Sequence, residues 1–232
     1  MSDERIRFSV AGVTSGVKSS LPIAVSVATY GLVFGVLARQ TTLGPAETLL
    51  MSATVFAASA QFVALDLWGR NLPSVTIVVT TFLVNLRHLL MGASLRPWLS
   101  RLSSGKVYGM LFFLNDESWG ITMSEHADGE RDGAFLLGSG LIVFVAWVGA
   151  SLLGVTAGSL IRNPARYGLD FAFIAVYIAL LVGVWDDRGD ALPVGTAAVV
   201  AVGAAYLLPG EWHIILGGLV GSVVGVVRDS YV

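Results

Sequence analysis

The chain alternates long apolar runs with short polar punctuation. Eight runs stand out, near 19–38, 48–65, 71–95, 107–124, 134–161, 168–185, 191–209 and 212–227. Each approaches the length of about 20 residues that crosses ~30 Å of hydrocarbon as an α-helix. Charge gathers between the runs, as from Glu125 to Asp132 and at Asp186, Asp187, Arg188 and Asp190. No stretch is left for a separate soluble domain, so the pattern predicts one transmembrane domain over 1–232. Its first eighteen residues hold Arg5, Arg7 and Lys18 without an apolar core and are expected on the cytoplasmic side. The run that follows is too long for a signal peptide and reads as the first span.

Two runs break the pattern. The second is short and carries Phe56-Ala57-Ala58-Ser59-Ala60-Gln61, small residues around an amide. The fourth holds Asn115, Asp116 and Glu117 inside its apolar stretch. Polar or irregular backbone at membrane depth is tolerated where protein buries it or where it lines a cavity. Loop lysine and arginine numbers are nearly even on the two sides if all eight runs span. They lean toward the amino-terminal side if the second is re-entrant, which suits a cytoplasmic amino terminus. The expected fold class is an all-α integral membrane protein, a polytopic helical bundle of about seven spans plus one re-entrant segment.

Composition agrees with the pattern. Of 232 residues, 55% are hydrophobic and 13% charged, where a water-soluble surface needs about a quarter charged. The net charge of −2 and the lack of any basic run give nothing to neutralise a phosphate backbone, so nucleic acid is not an expected partner. Cysteine is absent, which removes disulfides and thiolate metal sites. No metal-ligand spacing, HExxH or G-x-x-x-x-G-K-S/T motif occurs, so neither a cofactor nor ATP is expected.

The candidate chemistry lies within the apolar runs. Asn85, Arg87 and His88 interrupt the third. An arginine at the centre of a span costs about 2.5–3.5 kcal/mol on insertion scales, so it must find an acid, a cavity or the interface. Its guanidinium fork suits a carboxylate, whether a substrate's or a structural one. Asp116 and Glu117 are costly to keep ionised in lipid. They can carry a proton if the pathway passes them, or sit at the membrane rim before the loop at Glu125. Asp116 is the expected partner of Arg87. Gln61 is either a helix–helix hydrogen bond or a ligand contact beside exposed backbone at a broken helix. His126, His213 and Asp66 are expected at the surface or interface.

Small residues recur every four positions: Gly31 and Gly35; Ala150, Gly154 and Gly158; Gly217, Gly221 and Gly225. Such rows let helix backbones approach closely. They serve either packing within the chain or docking of a second subunit, so an oligomer stays open.

These residues together resemble an AzlC-type branched-chain amino acid permease, the large subunit of the LIV-E exporter group. The resemblance covers nearly the whole chain. Asn85-Leu86-Arg87-His88 followed by Gly92-Ala93-Ser94-Leu95 matches the family pattern N-x-R-H-x-L-Y-G-x-S-L. Pro22 with Gly31-x-x-Phe34-Gly35, Phe56-Ala57-x-x-x-Gln61 and Asp116-Glu117 follow in the family's order. Met91 stands where tyrosine is usual and Ala58 where glycine is usual, and Trp119 follows the acids where another aromatic or a smaller residue is commoner. These departures bear on substrate preference. The resemblance implies a small AzlD-type membrane partner and export of leucine, isoleucine, valine and sometimes methionine, driven by the proton-motive force across a prokaryotic cytoplasmic membrane.

The substrate-binding or pathway candidates are therefore Gln61, Asn85, Arg87, His88, Asn115, Asp116 and Glu117. Pro22, Gly31, Gly35, Phe56 and Gly92 are expected to shape helix packing or breaks. The competing classes are a passive channel and an intramembrane enzyme. A rhomboid-like protease would need a serine near a histidine on another span; Ser139 lies between glycines, but His88 is the one histidine well inside a run. A retinal protein would need a late-span lysine, and the only lysines are Lys18 and Lys106.

Overall fold

A computed structural model describes residues 8–69, 72–100, 102–127, 132–160, 187–208 and 212–230, with scattered positions between 166 and 185. The candidate run 168–185 therefore lies largely outside the described residues. The described residues of the apolar runs form α-helices, some of them interrupted, as the polytopic all-α class requires. Among the described residues, four helical stretches are long and apolar enough to cross a membrane: Val10–Ala38, Ser74–Arg96, Ala134–Gly158 and Arg188–Leu207.

The frame is a pair of long helices, α1 (Val10–Ala38) and α8 (Ala134–Gly158). Small residues decide how closely they meet. A side chain added at Gly16 would put its Cβ 2.2 Å from the carbonyl oxygen of Phe135, and one at Gly35 would meet Ser151 O at 2.2 Å. From the other side, a Cβ on Gly154 would stand 2.2 Å from Leu32 O. The rows Gly31/Gly35 and Ala150/Gly154/Gly158 thus face each other within one chain. The third row does likewise, since Cβ atoms on Gly217 and Gly221 would strike Ala201 and Ala197. All three rows serve packing within the chain.

α1 begins well before the expected residue 19. Ser9 caps it by accepting from Gly12 N, and Asp132, just ahead of α8, accepts from Ser9 N (3.2 Å), Ser9 Oγ and Ala134 N (3.0 Å). The polar residues Thr14, Ser15 and Lys18 hid these two and a half turns or so from a hydropathy reading, yet buried Gly12 and Gly16 continue the packed stripe. Midway, Ser20 Oγ donates to Ser139 Oγ at 2.7 Å with both side chains fully buried. Pro22 sits inside α1 without interrupting it. Its side chain lies on an exposed face of the helix.

The contacts fix a parallel pairing: Ser9 and Gly12 meet Asp132, Gly16 meets Phe135, Gly35 meets Ser151, and Gly158 meets Arg39. Two spans can be parallel only if the chain between them makes an odd number of crossings. Runs two, three and four supply that number if each crosses.

These three runs are all interrupted helices. Run two is α2 (Pro45–Val55) and α3 (Ala58–Asp66); run three is α4 (Ser74–Asn85) and α5 (Arg87–Leu99); run four is α6 (Ser104–Phe112) and α7 (Asp116–Ala127). End to end, each pair is long enough to cross the hydrocarbon. After them and α8 come a 3-10 turn, Arg188–Asp190, then α9 (Ala191–Leu207) and α10 (Trp212–Asp229). Arg228 closes the α9–α10 hairpin, donating to Asp190 Oδ1 (2.8 Å) and Asp187 Oδ1 (3.1 Å).

Candidate functional site

Each interruption has its own cause. Between α2 and α3, Phe56 adopts φ 38° and ψ 48°, the left-handed region, the only non-glycine residue with positive φ among those described. That conformation costs a Cβ-bearing residue roughly 1–2 kcal/mol. Burial holds it there: the Phe56 ring is 6% exposed and meets Phe144 edge-on at 5.0 Å. Between α4 and α5, Leu86 keeps helical dihedrals, but Leu86 N bonds Leu83 O and Leu89 N bonds Leu86 O, a 3-10 tightening. Such a stretch in mid-helix often marks a hinge. Between α6 and α7, Asn115 and Ser118 cap each other: Asn115 Oδ1 accepts from Ser118 N (2.7 Å) and Ser118 Oγ accepts from Asn115 N (3.0 Å).

Arg87 joins the three. It opens α5, and its Nη2 donates to Ser59 Oγ in the first turn of α3 and pairs with Asp116 Oδ2 at 2.9 Å in the first turn of α7. The pair expected between Arg87 and Asp116 is formed. Arg87 follows the twelve residues of α4, which places it about 18 Å along the chain's helical path from that helix's start. The two side chains keep 34% and 47% of their exposure, so the contact is open on one side.

The other candidates distribute around this contact. His88 Nδ1 lies 3.2 Å from Asn85 O, and Asn85 Oδ1 is buried without a partner among the described residues, as is Arg87 Nε. Asn115 is spent on the α7 cap. Glu117 is exposed beside Asp116. Gln61 is fully buried in α3, with neither amide atom partnered among the described residues. Gly92 has open space where a Cβ would stand and lines a cavity of about 390 Å³ with Arg96, Ser104 and Tyr108. Asp66 is exposed, as expected. Ser139, the serine weighed for a protease, is wholly buried and bonded to Ser20.

Sequence reasoning missed Ser59 and Thr81. Ser59 stood in plain view among the small residues before Gln61, and only its position opposite Arg87 gives it meaning. Thr81 lines a cavity with Gln61, and its Oγ1 is likewise buried and unpartnered.

Long apolar helices, and interrupted ones with an arginine and an aspartate joined across the breaks, define a polytopic membrane protein with an ion pair between its half-helices. Residues 22–161 match the family described as AzlC protein, and the chain belongs to that family. It is similar to an uncharacterized membrane protein of Archaeoglobus fulgidus, 32% identical over 72% of this chain and 73% of that one. It is also similar to the branched-chain amino acid transport protein AzlC of Bacillus subtilis (25% identical; 88% of this chain, 80% of that one). A third relative is the inner membrane protein YgaZ of Escherichia coli (26% identical; 92% and 89%). No solved structure matches.

Proposed function

We propose that this protein is the large subunit of a secondary transporter that exports branched-chain or other apolar amino acids across the cytoplasmic membrane, coupled to protons, with its amino terminus cytoplasmic. The observation that carries the reading is the Arg87–Asp116 contact, which ties three broken helices together within apolar runs. Ionisable groups so placed are expensive, and where they persist they mark pathways and proton relays. The Bacillus relative's name supplies the substrate class.

The geometry suggests how a cycle could run. A substrate carboxylate competes with Asp116 for the Arg87 fork, and the freed Asp116, with Glu117 beside it, takes a proton or faces the ammonium group. Breaking the pair releases the start of α7 from α5, so that the half-helices move relative to the α1–α8 frame. Broken helices around a mid-membrane site are a common way to build alternating access. The large exposed side chains of α4 and α9, among them Val75, Phe82, Val199 and Tyr206, would be covered by lipid and by a small AzlD-type subunit.

The test is amino-acid efflux from cells or proteoliposomes, with and without a proton uncoupler. Wild-type leucine efflux should collapse with the uncoupler. Arg87→Ala and Asp116→Asn should abolish it while inserting normally; normal flux in both variants refutes the proposal.

A further inference from the structure

The parallel α1–α8 frame has two ends, one marked by Ser9 and Asp132 and the other by Ala38 and Gly158. Contacts along it show which way each half-helix runs. α2 leaves the Ala38 end and stops at Phe56, whose ring meets Phe144, about 15 Å along α8 from Ala134. α3 does not continue in that direction. Phe62, one turn into it, meets Phe34 (5.6 Å) and Trp147 (6.2 Å), which lie back toward the Ala38 end. Met51 on the way in and Trp68 on the way out line one cavity. The left-handed Phe56 makes the reversal, since a residue in that conformation stops a helix and turns the chain.

Run four does the same from the other end. Lys106, in the first turn of α6, holds its Nζ over the Phe8 ring at 4.5 Å, beside Ser9. α6 then climbs until a Cβ on Gly140 would strike Phe113 O (2.2 Å), and the Phe113 ring meets Phe144 at 5.3 Å. α7 turns back. Asp116 meets Arg87, and Trp119 Nε1 donates to Ser94 Oγ (2.9 Å), about two turns along α5 toward Leu99. Chain length demands the return as well. Were α7 to run on toward Gly158, Ala127 would stand about 34 Å from Asp132. The residues between them reach at most about 18 Å. Run three alone goes from end to end: Ile77 shares a cavity with Trp68, and Leu95 and Leu99 share a core with Leu136 at the start of α8. One crossing gives the odd number that the parallel pair requires, as three would.

We infer that runs two and four are re-entrant, entering from opposite faces of the membrane, and that they are the two gates of the transport site. Their tips close on the same two side chains. Phe144 meets the rings of Phe56 and Phe113, one from each tip. Arg87 holds Ser59, just past one tip, and Asp116, just past the other. Each re-entrant pair thus lies between Arg87 and one face. Each is anchored at that face alone, so it can swing without drawing a polar loop through hydrocarbon. The gate assignment rests on the transporter reading above; the topology does not.

The chain has no cysteine, so single substitutions in the full-length protein report topology in cells labelled with a membrane-impermeant maleimide, permeabilised cells giving the full signal. Thr42→Cys and Ser124→Cys mark the two faces. Gly69→Cys, where an added side chain has open space, should label with Thr42→Cys, and Ser103→Cys with Ser124→Cys. If every run crossed, the two would trade faces. Either one labelling on the other face overturns the inference while leaving the transporter reading standing. For the gates, Phe144→Ala removes the ring on which both tips rest. Leucine flux in proteoliposomes should then lose its dependence on an imposed proton gradient at least tenfold, while Leu153→Ala, exposed on the same helix, keeps it. If Phe144→Ala does not reach the membrane, Phe144→Leu keeps most of the volume without the ring contacts and takes its place. Flux as gradient-dependent as wild type in the variant that inserts overturns the gate assignment. A wild-type protein that moves no leucine overturns the transporter reading and the gates with it, and the labelling still decides the topology.

Discussion

The α1–α8 pair and the run of half-helices from α2 to α7 are built on opposite principles. The pair is continuous, meets backbone to backbone through glycine, and satisfies its buried hydroxyls: Ser20 bonds Ser139, and Ser151 bonds Trp147 O. The half-helices are interrupted three times and collect unsatisfied polar atoms on Ser52, Gln61, Thr81, Asn85, Arg87 and Thr122. On α8 the indole N–H of Trp147 is the exception. Packing without gaps makes a region hard to move, whereas unsatisfied groups and hinges leave alternatives close in energy. The comparison teaches that one half of the molecule is a frame and the other is equipped to work against it.

The contrast can be broken most sharply at Arg87. Arg87→Ala should cut substrate flux at least a hundredfold, because it strands Asp116 and releases Ser59, while the α1–α8 frame stays folded. The charge swap Arg87→Asp with Asp116→Arg should recover part of the flux if the pair itself is what matters. Flux near wild type in the single variant, measured by labelled efflux at matched membrane abundance, would remove the working half of the comparison.

Within the frame, Gly35→Val should destabilise the protein by about 3 kcal/mol or more, since its side chain must enter the space of Ser151 O and the backbone there cannot yield. Gly149, on the same α8 but with open space where its Cβ would stand, is the control, and Gly149→Ala should be neutral or slightly stabilising. Thermal unfolding in detergent would separate the two; equal midpoints would mean that the glycine contacts do not set the packing.

A smaller effect tests the first hinge. Phe56→Ala loses a buried ring, at about 3–5 kcal/mol, yet keeps the left-handed strain. Phe56→Gly loses the same ring but relieves the strain, so it should be the more stable of the two by about 1 kcal/mol, reversing the helix ranking of alanine over glycine. A less stable glycine variant would show that residue 56 is not held left-handed. Smallest of all, Arg228→Ala should cost at most about 1 kcal/mol, because the acids it meets are partly exposed and water screens the pairs. A large loss of thermal stability would mean that the α9–α10 hairpin depends on its closing ion pairs more than on Gly217 and Gly221.

How much of this was legible beforehand varies by residue. The apolar runs 134–161, 191–209 and 212–227 returned as helices Ala134–Gly158, Ala191–Leu207 and Trp212–Asp229 within a few residues. The charge at 87 and the acid at 116 announced each other, because each is intolerable in lipid without a partner. The start of α1 was hidden because Thr14, Ser15 and Lys18 look like an aqueous segment, while what holds them in a helix is Asp132, more than a hundred positions away. Ser59 and Thr81 were passed over because a hydroxyl in a helix ordinarily bonds its own backbone, and nothing local says when it does not.

By itself the sequence determined the solvent this chain folds in, the approximate length of its helices, and the rule that Arg87 must meet an acid, because hydrophobicity and charge act on every residue wherever it lands. It also carried the small-residue spacing that lets α1 and α8 touch. The tertiary structure alone decided that those helices run parallel, that Arg87 joins the breaks of three runs, and that Gln61 and Thr81 keep buried polar atoms without partners among the described residues. Those facts depend on which surfaces meet, and pairings between distant segments leave no periodic trace in the chain.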